Sequence, residues 1–448
     1  MKFLARFGIL LALLVNAPAA ERERPLFRDY MGINGHFTFK PELYLPTARL
    51  VRNYHNLNWD AQAPGDELTF PTAKNGVRWV SQVYRPWHEA GYEIDVCIQF
   101  AGFGGDDGNQ ALAEASPAWL ESYGSAVAGT LGSCGEKLVS SMEIGNEPGT
   151  DIDPDVYAKV FTHMAKGIRR SDPEMKILTA TAHARDADKY SLDLRKSFAS
   201  PELRQLYDVI NVHTYAMLPK KEGRSPWARS FPEDPEIDYL KVVDEAIDWR
   251  DHHAPGKEVW VTEFGYDAPT PEALERRTGW FEKLDWRGVS EEEQARYLVR
   301  SYLVFAMRDV ARAYLYFYND DDGASVHGAS GLTRKFVPKP AYFAVRHLHR
   351  TLGDYRLTRV VRQETDGLHL LEFSAGDNPR RKIWVAWLAT GGDETRNVQL
   401  EGLPGRISKI EIMPCAEGEP PTPSLSREDR ESGRIAVSGT PAYLHFDL

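Results

Sequence analysis

Between residues 28 and 350 the chain alternates short apolar runs of strand character with longer helical stretches, and this alternation restricts its fold more than any other feature. The strand-like runs fall at Tyr30–His36, Ala48–Tyr54, Glu93–Phe100, Leu138–Gly145, Lys176–Ala182, Asp208–Thr214, Glu258–Glu263 and Ala313–Tyr318. Helix start signals stand between them. Ser116-Pro117 and Asp153-Pro154 each set an N-cap residue before a proline suited to the first helical position. After the second of these, Val156, Tyr157, Val160, Phe161 and Met164 form one apolar stripe. Ser290 and Glu293 make a capping box ahead of the Arg296–Ala311 helix, and Pro340 opens a last helix. Eight strands with helices between them are the count for a closed (β/α)8 barrel, so the fold class is α/β with one barrel over residues 28–350.

Beyond Leu352 the helix signals stop. Short strands at Leu368–Phe373, Lys382–Leu388, Asn397–Leu400, Ile407–Met413, Arg434–Val437 and Ala442–Phe446, with Gly-, Pro- and Asp-rich turns between them, predict an antiparallel β-sandwich domain over 353–448. Glu417–Arg430 is expected to be its long surface loop. Trp384 and Trp387 are either sandwich core or a sugar-binding surface, and their odd separation sets them on opposite faces of one strand.

Two of the barrel strands end on a glutamate. LVSSMEIGNEPGT (138–150) presents Asn146 and Glu147 just before Pro148, which cannot continue a ladder. Period-2 alternation gives Glu143, Gly145 and Glu147 a shared direction. EVWVTEFGYD (258–267) has the same design, with Glu263 at the end of its strand before Gly265. Paired carboxyls at strand ends suit glycoside chemistry, in which one carboxyl moves a proton and the other stays ionised. In the double-displacement route they stand about 5–5.5 Å apart, and each disfavours the other's ionisation.

The NEP triplet, the HTY segment at His213–Tyr215 and the TEFG tetrapeptide, in that order and at strand ends, resemble the motifs of clan A retaining glycoside hydrolases, which are TIM barrels. The segment after strand eight, DDDGASVHGASGLTRKFVPKPAYFAVRHL, is similar to the closing loop and last helix of family 39 members and related exopolysaccharide hydrolases. The resemblance implies Glu147 as acid/base and Glu263 as nucleophile. It implies that Asn146 binds the sugar 2-hydroxyl, that Tyr215 donates to Glu263 and that His213 lines the sugar site. Arg52 matches a clan arginine near the nucleophile; facing inward from strand two, it is also expected to partner a buried Glu143. Asn34 and His36, at the end of strand one, are expected substrate contacts, with Gln99 a weaker one and His327 another in the closing loop. Tyr316 takes the place where the clan often has a tryptophan platform, with Tyr318 expected on the same side. His252 and His253 are expected in a solvent-facing loop at the opposite rim. The implied function is hydrolysis of a β-glycosidic bond in an oligo- or polysaccharide without metal or organic cofactor. A catalytically idle carbohydrate-binding barrel and a transglycosylase are the alternatives.

Composition narrows the partners. Of 448 residues, 42% are hydrophobic, enough for a large core, and the net charge of −11 with no long basic run argues against nucleic acid. Lys2 and Arg6, the apolar run Phe7–Val15 and Ala17-Pro18-Ala19 read as a signal peptide over residues 1–20, hence a secreted or periplasmic chain with no spanning segment once it is removed. The three cysteines make no disulfide framework: Cys97 lies in an apolar strand as a buried thiol, although a Cys97–Cys134 bridge is compatible with the sequence. No CxxC or HExxH pattern marks a metal site.

Overall fold

The computed structural model describes residues 23–219, 228–363 and 367–447; the expected leader and residues 220–227, in a Pro-, Lys- and Arg-rich stretch after the sixth predicted strand, lie outside them. Eight parallel strands close on themselves: β1 (Met31–Gly35), β2 (Leu50–Asn56), β3 (Glu93–Gln99), β4 (Ser141–Ile144), β5 (Lys176–His183), β6 (Val209–His213), β7 (Glu258–Phe264) and β8 (Arg312–Leu315). β8 pairs back onto β1 through Met31↔Ala313 and Ile33↔Leu315, so the barrel has no open edge. A two-residue strand, Leu192–Asp193, attaches beside β5.

The chain differs from the sequence expectation at several points. Strand four is shorter than Leu138–Gly145: it begins only at Ser141, and Gly145, in the left-handed region at φ +87°, lies just past its end. Strand eight stops at Leu315 instead of running on to Tyr318. His252 and His253 are exposed as expected but finish the Lys241–His253 helix rather than lying in a loop. The helices start as their caps direct. Ser116 Oγ accepts from the Trp119 amide at 3.2 Å, and the Ser290–Glu293 capping box is complete. Asp153 departs from the pattern: its own amide donates to Asn109 Oδ1 at 3.0 Å and its carboxylate accepts from Asn109 Nδ2 at 3.0 Å, a cap made between two helices.

After the Pro340–Leu352 helix come the antiparallel strands. Tyr355–Gln363, Leu368–Ala375, Lys382–Leu388, Ala442–Asp447 and Arg406–Ile412 form one sheet in that spatial order, and Thr395–Gln399 pairs with Arg434–Ser438 in a second. The predicted Glu417–Arg430 loop carries a short helix, Arg427–Ser432. Trp384 and Trp387 are both fully buried, which removes them as a sugar-binding surface. Trp384 packs with Leu370, Ile407 and Leu444 inside the sandwich. Trp387 belongs to the barrel's own core, so the two rings do occupy opposite faces. Its indole N–H donates to Glu233 Oε1 at 2.6 Å, and the buried Arg300 holds the same carboxylate at 3.0 Å while donating to the Thr390 carbonyl at 2.8 Å. Large-to-small changes at such a site cost about 3–5 kcal/mol. Trp387→Ala is therefore expected to lower the unfolding free energy, read from denaturant titration, by that order, with Trp387→Phe milder; a loss below about 1 kcal/mol for Trp387→Ala would deny the ring its anchoring role.

Candidate active site

The carboxyl ends of the strands gather one continuous polar cluster, and its centre is Arg52 on β2, which has no exposed surface. A guanidinium has five N–H donors in a fixed plane. Arg52 Nε donates to Glu143 Oε2 at 2.7 Å, and Nη2 to Glu143 Oε1 at 2.9 Å and Asn146 Oδ1 at 2.8 Å. Nη1 donates to Asn34 Oδ1 at 2.8 Å and Glu263 Oε1 at 3.0 Å. Cys97 Sγ lies 3.1 Å from Nη2; this thiol is buried and free, and Cys134 is exposed and free, so the two form no bridge. The Arg52–Glu143 pair expected from the sequence is present, and it extends to the glutamate on β7 and the asparagine beyond β4. Burial pushes the Glu143 carboxyl up and Arg52 offsets part of that. The neighbouring Asp95 gets less help: burial and then the Glu143 charge push it up to about 7.

Glu263, at the end of β7, is 5% exposed. Its Oε1 accepts from Arg52 and from the Tyr54 hydroxyl at 2.6 Å, and its Oε2 accepts from the Tyr215 hydroxyl at 2.8 Å. Burial alone raises this carboxyl; the His213 and Arg52 charges and the two tyrosine hydroxyls outweigh it and hold the group well below the usual carboxylate range.

Glu147 is placed differently. Its side chain is 26% exposed, and Oε1 lies 2.8 Å from His213 Nδ1. The other nitrogen, His213 Nε2, lies 3.0 Å from Thr262 Oγ1, whose own hydrogen goes to Asn211 Oδ1. Thr262 can then only accept from the ring, which puts a hydrogen on Nε2 and leaves Nδ1 to share a proton with Glu147. One atom each of Glu147, His213 and Glu263 lie within 4.8 Å of one another. Three such ligands also suit a divalent cation, but the His213–Glu147 hydrogen bond already occupies two of them.

The sequence candidates divide in this light. Glu147, Glu263, Asn146, His213, Tyr215 and Arg52 form the cluster. Asn146 must turn Oδ1 to the arginine, which cannot accept, so its amide N–H groups are free to face outward. Asn34 is fully buried and spends its amide on the Thr262 and Leu315 carbonyls at 2.8 and 3.1 Å; it is a strut rather than a substrate contact. His36 stands beside Phe37, ring centroids 3.9 Å apart, and 5.9 Å from Trp59. Tyr316 is 6.3 Å from the Tyr54 ring, and His327 sits 4.5 Å from Tyr215 and 5.2 Å from Tyr316. Tyr318 is elsewhere: the strand ends before it, and its ring is buried against Phe39 at 5.5 Å and Tyr44 at 5.6 Å. Sequence reading missed Tyr54, Thr262 and Asn211. Tyr54 was within reach, since it lies two residues past Arg52 on one strand and so shares its face.

Glu147 borders two cavities. One, of about 510 Å³, includes Gln99, Asn146, Asp106, Asp107 and Asp151; the other, of about 740 Å³, includes His183, Tyr190, His213, Tyr215, Trp280 and His327.

No family model matches the chain, and no curated protein matches it. Solved structures do. A family 39 glycoside hydrolase from the gut symbiont Bacteroides cellulosilyticus WH2 aligns over 93% of this chain and 80% of its own, at 15% identity and TM-score 0.65. A glucosidase from Croceicoccus marinus aligns over 94% and 96%, at 12% identity and TM-score 0.60. CelM2, a bifunctional glucanase-xylanase from a metagenome library, aligns over 95% and 97%, at 12% identity and TM-score 0.59. The chain shares a TIM-barrel fold with these solved structures and carries a β-sandwich after the barrel.

Because the folded Glu263 carboxyl is held down, its ionisation favours the fold at pH above the ordinary carboxylate value, and that contribution fades as pH falls through the lowered one. Tyr215→Phe and Tyr54→Phe each remove a hydroxyl from the carboxylate. Hydrogen bonds to charged groups are worth about 1.5–3 kcal/mol, so each variant is expected to raise the Glu263 midpoint by about 1–2 pH units in a carboxyl carbon NMR titration. An unmoved midpoint would mean that the hydroxyls do not set it.

Proposed function

We propose that this protein is a retaining β-glycoside hydrolase acting on an oligo- or polysaccharide outside the cytoplasm, with Glu147 as acid/base and Glu263 as nucleophile. The observation that carries the reading is the pairing of two carboxyls with unlike surroundings, their nearest oxygens within 4.8 Å. Glu263 is encased in donors and a guanidinium, which suits a group that must be ionised when substrate arrives. Glu147 faces the cavities and shares its proton with a single imidazole, which suits a group that must give a proton and take one back. Their closeness favours double displacement, because the inverting route needs about 6.5–9.5 Å for an intervening water. The solved structures of like fold, described as glycoside hydrolases, add to this support.

In the first step a Glu263 oxygen bonds to the anomeric carbon while the bond to the leaving oxygen breaks and that oxygen takes the Glu147 proton. Arg52 and the two tyrosine hydroxyls hold the carboxylate in place, and the outward amide of Asn146 donates to the sugar 2-hydroxyl. In the second step a water gives its proton to the Glu147 carboxylate as its oxygen attacks the anomeric carbon, releasing Glu263 and restoring the original configuration. His213 keeps Glu147 oriented through both steps, its tautomer set by Thr262.

Removing a general acid costs about 10²–10⁴-fold in rate, so Glu147→Gln is expected to lose at least that on unactivated glycosides, and Glu263→Gln to lose turnover altogether, both chains staying folded. Azide is expected to rescue Glu263→Gly; undiminished activity in either Gln variant would remove the assignment. Proton NMR of the first-formed anomer is expected to report retention, and an inverted product would exclude the covalent route.

A further inference from the structure

Three of the described aromatic side chains stand well out into solvent: Phe37 at 50%, Tyr190 at 47% and Trp280 at 63% exposed. All three lie on segments that follow barrel strands, β1, β5 and β7, and so at the rim where the carboxyl cluster opens. Exposed rings at such a rim offer flat apolar area that a ligand can cover. Tyr190 and Trp280 line the same cavity of about 740 Å³, and Glu147 is part of its wall. Phe37 is grouped instead with His36 and Trp59, at the β1–β2 side.

We propose that the cavity between Tyr190 and Trp280 is the subsite for the leaving group, and that this group is an uncharged sugar ring stacked on those side chains. The inference rests on the hydrolase reading and extends it to the substrate. A leaving oxygen must receive the Glu147 proton, so the ring it belongs to lies against Glu147, inside a cavity that Glu147 borders. Of the two such cavities, only this one carries exposed aromatic faces; the other is rimmed by Asp106, Asp107 and Asp151. The axial C–H faces of a pyranose pack on flat rings in water, as apolar area does elsewhere. The charged side chains of the wall balance, Glu147, Asp188 and Asp238 against Arg185, Lys189 and Arg229, and both arginines are already held, Arg185 by Asp238 at 3.1 Å and Arg229 by Asp267 at 2.7 Å, so a neutral sugar fits better than an acidic one. Tyr190 is also fixed relative to the acid. Gly149, two residues past Glu147, packs so closely on the next loop that a Cβ there would lie 2.0 Å from the Lys189 carbonyl and 2.6 Å from the Tyr190 amide.

The test uses leaving groups with and without a ring. β-Glucosyl, β-galactosyl, β-mannosyl and β-xylosyl fluorides need neither a leaving-group subsite nor a proton from Glu147. The sugar that wild type releases fluoride from is then offered as its β-1,3- and β-1,4-linked disaccharides, and as a methyl glycoside acceptor that intercepts the glycosyl-enzyme. For Trp280→Ala and Tyr190→Ala, the ratio of disaccharide to fluoride kcat/KM is expected to fall about 10- to 50-fold, and capture by the acceptor to fall with it. An unchanged ratio and unchanged capture would overturn the subsite. Fluoride release from none of the four sugars by wild type would instead count against the hydrolase reading itself.

Discussion

A single guanidinium holds the polar interior of this barrel together. Arg52 is wholly buried, and each of its five N–H groups meets an oxygen: two on Glu143, one each on Asn34, Asn146 and Glu263. A buried cation with a vacant donor would be expensive, and a buried carboxylate without a cation more so. Both costs are met in one fork-shaped contact that a lysine could not copy, because a point charge cannot bridge four side chains in a plane. Glu143 faces the inside of the barrel so that the arginine is charged and fixed before it reaches Glu263. Once there, it positions the β7 carboxylate and the residue before Glu147 together.

The strand ends translate this into a site. Gly145 stops β4 by entering the left-handed region, and its missing Cβ leaves room among Phe100, Ala180 and Tyr157 at 3.1–3.3 Å. Glu143, before the turn, goes to the interior; Glu147, after it, reaches the mouth. The two carboxyls share a four-residue spacing yet differ in burial, and so differ in what they can do with a proton.

Much of this was legible in the chain. The eight strands, the capped helices and the clustering of Glu147, Glu263, Asn146, His213, Tyr215 and Arg52 follow from period, punctuation and resemblance. What escaped reading depended on backbone geometry at strand ends. Alternation sets Tyr318 beside Tyr316, but β8 ends at Leu315 and alternation ends with it. Asn34 looked like a substrate contact because it sits near the rim; only the fold reveals that barrel carbonyls use its amide. The sandwich strand Tyr355–Gln363 carries no apolar rhythm in the sequence, because it lies at the sheet edge with register shifts and buries only Leu357.

The Arg300–Glu233–Trp387 contact bears on more than the joint between domains. Glu233 sits in the segment between β6 and the Lys241–His253 helix, the stretch that also supplies Met217, Arg229 and Asp238 to the larger cavity. The sandwich thus grips the outer side of a wall whose inner side faces the carboxyl pair. A barrel pared of its companion would lose a buttress of its own mouth, so the two parts are better regarded as one unit than as a barrel with a passenger.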